Sequence, residues 1–218
     1  MRGTATEDYI KAVYKLQRQS ANVSTSTLAD KMGTTPAAVT KMLKHLAVLQ
    51  WADYTPYHGV RLTAAGEKVA LEVIRHHRLL ELYLAQALGY AWDEVDAEAE
   101  KLEHVISEEF EARMDALLGH PTLCPHGDPI PTREGLLLET RLRTLAECAE
   151  GETVVISRVK DTDPLVLRAL TARAMHLRTF VSVVERDAVD GLLTIDVDGK
   201  RHIVGPALAG SVFVTPQE

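Results

Sequence analysis

Acidic residues are concentrated in one segment of this sequence. Residues 93–111 contain nine aspartates and glutamates but only one lysine and one histidine. Salt bridges within the segment cannot balance this excess, so it predicts a cationic partner. On a helix, Asp96, Glu100, Glu103 and His104 would lie on one side, because the last three follow the first at four, seven and eight residues. Glu100, Glu103 and His104 are therefore candidate ligands for one cation.

A second candidate metal site precedes this segment. His77 and Glu81 are four residues apart, so one helix face can present both side chains. Carboxylate oxygens with imidazole nitrogens suit manganese, ferrous iron, cobalt or zinc. Taken alone, either motif is also typical of a solvated helix surface. Their occurrence on consecutive predicted helices favours the metal-binding interpretation.

Composition and charge restrict the class of protein. The chain has 218 residues and a net charge of −7, but residues 1–70 hold nine lysines and arginines against five acids. A basic start and an acidic remainder suit a protein that approaches phosphate at one end and binds cations at the other. No apolar run reaches the roughly 20 residues of a membrane span, and the start is not a secretory signal, so we expect a cytoplasmic protein without a membrane segment. Cys124 and Cys148 are too few for a disulfide framework and are expected to be free thiols.

The first 63 residues have the pattern of a winged helix-turn-helix. Thr4 and Glu7 have capping-box spacing, which predicts a first helix from about Glu7 to Gln19. Ser24 can cap a second helix that ends at Gly33. Thr35 and Pro36 then open a third helix with an apolar stripe (Val39, Met42, Leu43, Leu46), and residues 51–55 and 60–63 flank a turn-rich tip as two strands. A different small helical domain with a hairpin is the alternative.

Helices and then strands are expected in the rest of the chain. The apolar periodicity predicts helices over 64–87, 93–118 and 136–149, with an irregular, proline-rich connection at 119–133. Beyond Gly151 short strands are predicted at 154–159, 180–184, 192–197, 202–204 and 212–215, with one helix over 164–175. Asp198 and Gly199 form a hairpin turn signal. These strands suggest a small barrel or sandwich.

Six short motifs carry a resemblance to a known family. They are residues 6–10 (TEDYI), 36–42 (PAAVTKM), 62–66 (LTAAG), 75–81 (RHHRLLE), 99–105 (AEKLEHV) and 124–131 (CPHGDPIP). Together they resemble the iron- and manganese-dependent repressors typified by the diphtheria toxin repressor and the manganese transport regulator. The resemblance implies a winged helix-turn-helix over 1–70, a helical dimerisation and metal-binding domain over 71–140 and an SH3-like (FeoA-like) domain over 141–218. The predicted fold is therefore mostly α with a C-terminal β module.

The same resemblance implies two metal sites. The primary, activating site would comprise Asp8, Glu100, Glu103, His104 and Cys124. The second would comprise His77 and Glu81, with Asp96 and Asp163 as further candidates. The short manganese regulators of the family have an acid at the position of Lys11, so a different second site is expected here.

The implied metal is manganese, with ferrous iron as the alternative and cobalt, zinc or cadmium as substitutes. Iron-type members place softer Met and Cys ligands at the positions held here by Asp8 and Glu100, and hard oxygen ligands favour manganese. The affinity of such ligands for divalent metals rises along the series from manganese toward copper. Selectivity for manganese therefore has to come from the geometry of the site and the availability of each metal in the cell.

The expected function is metal-dependent binding of a homodimer to double-stranded operator DNA, with repression of metal-uptake genes. A metal held between Asp8 and the second domain would fix two recognition helices at half-site spacing. Candidates for base-edge contact are Thr35, Pro36, Ala37, Ala38, Thr40 and Lys41, and candidates for phosphate contact are Lys44, Tyr57, His58 and Arg61. The rival hypotheses are a metal-independent winged-helix regulator and a metallohydrolase. No nucleophile or phosphate loop supports an enzyme, and peptide binding by the barrel stays open.

Overall fold

The computed structural model of this chain describes residues 3–18, 20, 22–138, 140–160 and 163–217. The described residues form two compact units that are discontinuous in sequence. The first contains the chain up to His77 together with residues 102–108 and 131–137. The second contains residues 78–101, 109–130 and the chain from Leu138 onward.

The first unit begins with three helices and a hairpin. These are α1 (Thr4–Gln17), α2 (Thr25–Met32), α3 (Pro36–Val48), β1 (Ala52–Thr55) and β2 (Gly59–Leu62). The two strands are antiparallel, with Ala52 opposite Leu62 and Thr55 opposite Gly59. Apolar side chains from all three helices and the hairpin form one buried core, which includes Ile10, Leu28, Val39, Leu43, Leu46 and Val60. The predicted winged helix-turn-helix is confirmed.

Local capping explains where α2 and α3 begin. The Ser24 hydroxyl accepts a hydrogen bond from Thr27 N at 3.0 Å, and the Thr35 hydroxyl accepts one from Ala38 N at 3.2 Å. Pro36 occupies the first turn of α3, and Gly33 ends α2 in the left-handed region at φ 59°. These boundaries confirm the predicted caps and fix the short connection between the two helices.

The prediction for the start of α1 is wrong. The helix begins at Thr4 instead of Glu7, because the carbonyl of Gly3 already accepts hydrogen bonds from Thr6 N and Glu7 N. Gly3 is the N-cap and no side chain caps the helix, so Thr4 does not form a capping box. The predicted end at Gln19 lies outside the described residues. As a result Glu7 lies in the first turn of α1 and Asp8 follows it directly.

The helix α4 (Ala64–Leu88) has the predicted bounds to within one residue. The helix predicted over 93–118 is instead divided into α5 (Val95–Leu102) and α6 (Glu108–Leu117). The chain leaves the helix after Leu102, where Val105 N donates to the Leu102 carbonyl in a turn. None of the described helices combines the length and the apolar character that a membrane span requires.

A predicted helix over 136–149 is also absent from the described residues. The strand β3 (Arg143–Thr144) and a 3-10 helix (Leu145–Glu147) occupy the end of that range. The Glu147 carboxylate accepts hydrogen bonds from the backbone and hydroxyl of Thr144, which closes a short turn in place of a helix. The apolar spacing of this segment therefore reflects packing into the sheet core, in which Leu145 and Cys148 are buried.

The C-terminal part of the second unit is an antiparallel sheet. It contains β3, β4 (Thr153–Val159), β5 (Phe180–Arg186), β6 (Leu193–Val197), β7 (Lys200–Val204) and β8 (Val212–Pro216), with α7 (Pro164–Thr171) and α8 (Pro206–Ala209) between strands. The strand order is β3-β8-β4-β5-β6-β7. Asp198 and Gly199 both have positive φ between β6 and β7, which confirms the predicted hairpin turn. The helix predicted over 164–175 ends earlier, at Thr171.

One glycine is required where α4 begins. The Thr63 hydroxyl accepts a hydrogen bond from Gly66 N, and a Cβ atom at Gly66 would lie 1.9 Å from the Trp51 carbonyl oxygen. Although alanine is favoured over glycine in a helix by about 1 kcal/mol, we expect Gly66→Ala to destabilise the chain by about 1–3 kcal/mol. The free energy of unfolding in urea, followed by circular dichroism, measures this effect.

The matched change is Ala65→Gly in the same turn, where the side chain is exposed. It should lower stability by no more than about 1 kcal/mol. A Gly66→Ala variant as stable as the wild type would show that the backbone of Trp51 can move away and that this contact does not fix the start of α4.

Candidate metal centres and nucleic-acid interface

The first candidate metal centre lies entirely within the first unit. Asp8 projects from α1, and Glu103 and His104 lie in the turn that follows α5. Their ligand atoms are all within 4.8 Å of one another. The prediction that Glu103 and His104 share a helix face is wrong, because α5 ends at Leu102. The turn nevertheless directs both side chains toward α1.

Both ring nitrogens of His104 face carboxylates of α1. Nδ1 lies 2.6 Å from Glu7 Oε2, and Nε2 lies 2.8 Å from Asp8 Oδ1. The second contact is buried and lacks hydrogen-bond geometry, although its distance is short. An imidazole nitrogen and a carboxylate oxygen that converge without a hydrogen bond suit a shared cation. The residues of this group therefore fit a divalent metal.

Glu103 is the most buried member of this centre. One carboxylate oxygen lies 2.5 Å from Lys11 Nζ, and the other lies 2.5 Å from His77 Nδ1. Burial by itself would raise the pKa of Glu103, but the hydrogen bond and charge of His77 and the charge of Lys11 outweigh it and leave the pKa below its usual value. Glu103 is therefore held as a carboxylate.

Three residues that the sequence analysis did not assign support this centre. Glu7 and Lys11 contact His104 and Glu103 from α1, and His76 Nδ1 lies 3.1 Å from the Glu103 carbonyl oxygen. The helical spacing of Glu7 and Lys11, four residues apart on either side of Asp8, was the available signal. A cation at Asp8 would link the DNA-binding helices to the turn at 103–104.

A second candidate centre lies within the second unit. Glu81 on α4, Cys124 and His126 are all buried, and their ligand atoms lie within 4.8 Å of one another. The family resemblance had instead placed Cys124 with Asp8 and had assigned no role to His126. The sequence analysis did not assign His126 to a site, yet its side chain is completely buried.

The surroundings of His126 determine which nitrogen faces the centre. Nε2 lies 2.8 Å from the carbonyl oxygen of Trp92, which can only accept, so Nε2 carries the proton. In the neutral imidazole Nδ1 then keeps a lone pair, and it lies 3.4 Å from Glu81 Oε1. The indole ring of Trp92 also stacks on the imidazole, with ring centroids 6.0 Å apart. A histidine oriented by a backbone carbonyl in this way is typical of a metal ligand.

Cys124 supplies a thiol to the same centre. Burial raises its pKa well above the usual value, and the charges of Glu81 and Asp128 act in the same direction. A thiol in such surroundings becomes a thiolate when a cation replaces its proton. The combination of carboxylate, imidazole and sulfur therefore fits a divalent transition metal.

The loop that carries Cys124 and His126 is held by strand β4 of the sheet. Val159 N donates a hydrogen bond to the His126 carbonyl at 2.9 Å. Gly127 has φ +85°, and a Cβ atom there would lie 2.2 Å from the Ser157 carbonyl oxygen. Arg78 and Arg158 both form ion pairs with Asp128, at 3.5 and 3.7 Å. The sheet therefore positions two of the three ligands of this centre.

The remaining predicted metal ligands stay predictions. His77 lies on α4 in the first unit, where it contacts Glu103. Asp96 and Glu100 lie on α5 in the second unit, Asp96 partly buried and Glu100 exposed. Asp163 is the N-cap of α7, and its carboxylate accepts a hydrogen bond from Leu165 N at 2.8 Å.

The predicted DNA contacts lie on α3 and the hairpin. Thr35, Pro36, Ala37, Ala38, Lys41 and Lys44 are exposed, and Thr40 is partly exposed with its hydroxyl bonded to the Pro36 carbonyl. Tyr57 is fully exposed at the tip of the hairpin, and His58 and Arg61 are also exposed. A groove between α3 and the hairpin is lined by Pro36, Thr40, Lys44, Tyr54 and Tyr57 among others. This arrangement presents cationic and polar groups on one face of the first unit.

Family models match almost the whole chain. The N-terminal DNA-binding domain of iron-dependent repressors matches residues 1–60. The metal-binding and dimerisation domain of the same repressors matches residues 63–132, and a FeoA domain matches residues 143–216.

Curated relatives and solved structures give the same result. The iron-dependent repressor IdeR of Mycobacterium tuberculosis strain H37Rv is 32% identical over 179 residues, which cover 72% of this chain and 78% of the relative. IdeR of Mycobacterium leprae is 28% identical over 211 residues, covering 96% of this chain and 87% of the relative. A manganese-dependent transcriptional repressor in complex with manganese has 35% identity and a TM-score of 0.88, covering 97% of this chain and 100% of that one. ScaR with bound Zn²⁺ has 32% identity and a TM-score of 0.80, covering 97% and 99%.

These matches exclude the metallohydrolase alternative, because the family consists of repressors and not of enzymes. They confirm the fold class of winged helix-turn-helix, helical domain and FeoA-type β module. The chain belongs to the iron-dependent repressor family of metal-dependent, DNA-binding transcription repressors.

Proposed function

We propose that this protein is a homodimeric repressor in the cytoplasm that binds operator DNA when manganese, or alternatively ferrous iron, occupies its metal centres. Repression of metal-uptake genes is part of the proposal. So is the three-domain division at about residues 70 and 140. The proposal is supported by membership of the repressor family and by the two clusters of side chains that are able to bind a divalent metal.

One observation carries the proposal. The helix α1, which packs in the core of the winged helix-turn-helix, contributes Asp8 to the same ligand group as Glu103 and His104. A cation bound there would neutralise neighbouring carboxylates and hold α1 to the turn at 103–104. Metal binding and the position of the DNA-binding helices would then be coupled. The affinity for the metal and the affinity for DNA would therefore each depend on whether the other ligand is bound.

We expect Glu103→Gln to abolish most of the metal dependence of DNA binding. Purified protein stripped with a chelator is mixed with fragments of its own genome at fixed salt, with and without Mn²⁺. The wild type should bind about 10- to 100-fold more tightly with metal, and Glu103→Gln should show little change. Glu150→Gln is the matched control, because Glu150 is exposed and distant in sequence from both ligand groups.

Equal DNA affinity of the wild type with and without metal would favour the metal-independent regulator. If Glu103→Gln still binds DNA more tightly with metal, the protein would remain a metal sensor. The group of Asp8, Glu103 and His104 would then not be its activating centre.

The centre of Glu81, Cys124 and His126 predicts a thiolate-dependent metal preference. We expect Cys124→Ser to weaken binding of Zn²⁺ and Cd²⁺ by about 100-fold and binding of Mn²⁺ by less than about 10-fold, because soft metals gain most from sulfur. Isothermal titration calorimetry of the full chain with each metal measures the difference. Cys148→Ser is the control, since Cys148 is buried in the sheet core. Equal losses for all three metals would contradict a thiolate ligand.

The position of the ligand loop predicts a glycine requirement. Gly127→Ala should weaken metal binding by about 10-fold or more, because the new methyl group meets the Ser157 carbonyl and displaces the loop. Gly119→Ala controls for backbone strain, since Gly119 also has positive φ but a Cβ atom there has no neighbour within 4 Å. If the two variants have similar metal affinities, backbone strain at positive φ, and not the contact with β4, accounts for any loss of metal affinity.

A further inference from the structure

Trp92 lies between a candidate metal ligand and helix α7 of the second unit. On one side its indole ring stacks on the imidazole of His126, and its carbonyl oxygen accepts the hydrogen bond from Nε2 of that imidazole at 2.8 Å. On the other side its Nε1 donates a hydrogen bond to the hydroxyl of Thr171 at 2.8 Å. One residue therefore connects the second candidate centre to α7.

The α7 side of this connection is well defined. The Thr171 hydroxyl donates to the Leu167 carbonyl at 3.0 Å, which leaves a lone pair of its oxygen for the indole N–H. Arg168 of α7 also forms an ion pair at 3.2 Å with Asp93, the residue that follows Trp92. The indole itself is partly buried and packs against the core of the sheet. These contacts hold Trp92 in a fixed position relative to α7.

The imidazole of His126 depends on this position. Its Nδ1 faces Glu81 Oε1 at 3.4 Å, and the ring plane is restricted by the stacked indole. A rotated imidazole, or one protonated on Nδ1, would present an N–H to the centre instead of a lone pair. When Nδ1 gives its lone pair to a cation, Nε2–H becomes a stronger donor toward the Trp92 carbonyl. Occupancy of the centre and the position of Trp92 therefore reinforce each other.

We infer that Trp92 is a positioning residue for the second candidate centre, and that α7 acts on the metal affinity of this centre through the hydrogen bond between the indole and Thr171. The inference rests on the proposed function, because it assumes that Glu81, Cys124 and His126 bind a divalent metal. It adds a residue outside the ligand set, Thr171, whose effect reaches the centre by way of Trp92.

The test follows the binding of Co²⁺ to the chelator-stripped full chain by absorption. A thiolate bound to Co²⁺ gives a charge-transfer band in the near ultraviolet, so the band reports the centre that contains Cys124, and Cys124→Ser should abolish it. We expect Thr171→Val to weaken the Co²⁺ affinity measured from this band by about 3- to 10-fold, as for the loss of one hydrogen bond. Thr171→Ser keeps the hydroxyl and should bind Co²⁺ as tightly as the wild type.

Two further variants show whether the effect passes through Trp92. Trp92→Phe keeps the backbone carbonyl and an aromatic ring but lacks the indole N–H, so it should lose at least as much Co²⁺ affinity as Thr171→Val. The double variant should bind as weakly as Trp92→Phe alone, because both changes remove the same hydrogen bond. Thr153→Val is the matched control and should keep the wild-type affinity, since the Thr153 hydroxyl is bonded to that of Ser182 within the sheet.

Hydrogen exchange supplies a readout that a purely structural role would not move. Coupling between two sites is reciprocal, so Zn²⁺ should slow the exchange of the α7 amides about 3- to 10-fold more in the wild type than in Thr171→Val. Thr171→Ser should show the wild-type response. Without metal, Thr171→Val and Thr153→Val should have similar Tm values, because each variant loses one hydroxyl that forms hydrogen bonds.

The outcomes separate this inference from the function on which it rests. The inference is overturned by wild-type Co²⁺ affinity in Thr171→Val, by additive losses in the double variant, or by equal slowing of α7 exchange in Thr171→Val and the wild type. Each of these results leaves metal binding by the second candidate centre intact. A wild type without the thiolate band would remove this centre from the proposed function and the inference with it.

Discussion

The buried carboxylate of Glu103 is the constraint on which the geometry of the first unit depends. A lone carboxylate removed from water costs several kcal/mol, so the fold must supply compensating partners. Lys11 comes from α1 and His77 from α4, each at 2.5 Å. Because these partners are distant in sequence, satisfying one carboxylate fixes the turn at 103–107 against two helices. His104 follows directly in the chain and is thereby directed toward Asp8.

The second candidate centre depends on a different kind of constraint. Its ligands Cys124 and His126 lie in an irregular loop, and such a loop needs external contacts to hold side chains in place. Strand β4 provides them through the hydrogen bond from Val159 N and the close backbone approach at Gly127. The sheet therefore supports two of the candidate metal ligands.

Much of the fold could be predicted because its signals are local. Ser24, Gly33, Thr35 and Pro36 determine helix ends through their own backbone preferences, and the Asp198-Gly199 turn does the same for a hairpin. The prediction of one continuous helix over 93–118 was wrong at Glu103 because the contacts that end the helix there are not local. Nothing in the adjacent residues stops a helix there, whereas the partners of Glu103 and His104 lie on α1 and α4.

The ligand sets were only partly predictable for the same reason. The family resemblance already grouped Asp8 with Glu103 and His104, but the association of Glu81 and Cys124 with His126 depends on distances that no sequence spacing contains. His126 shows the limit most clearly: a histidine among prolines and glycines has the sequence of an exposed turn, yet Trp92 covers its ring and binds its Nε2. A site built from loop residues is defined by what packs against the loop, so its chemistry becomes evident only when the supporting strand and the stacked indole are in place.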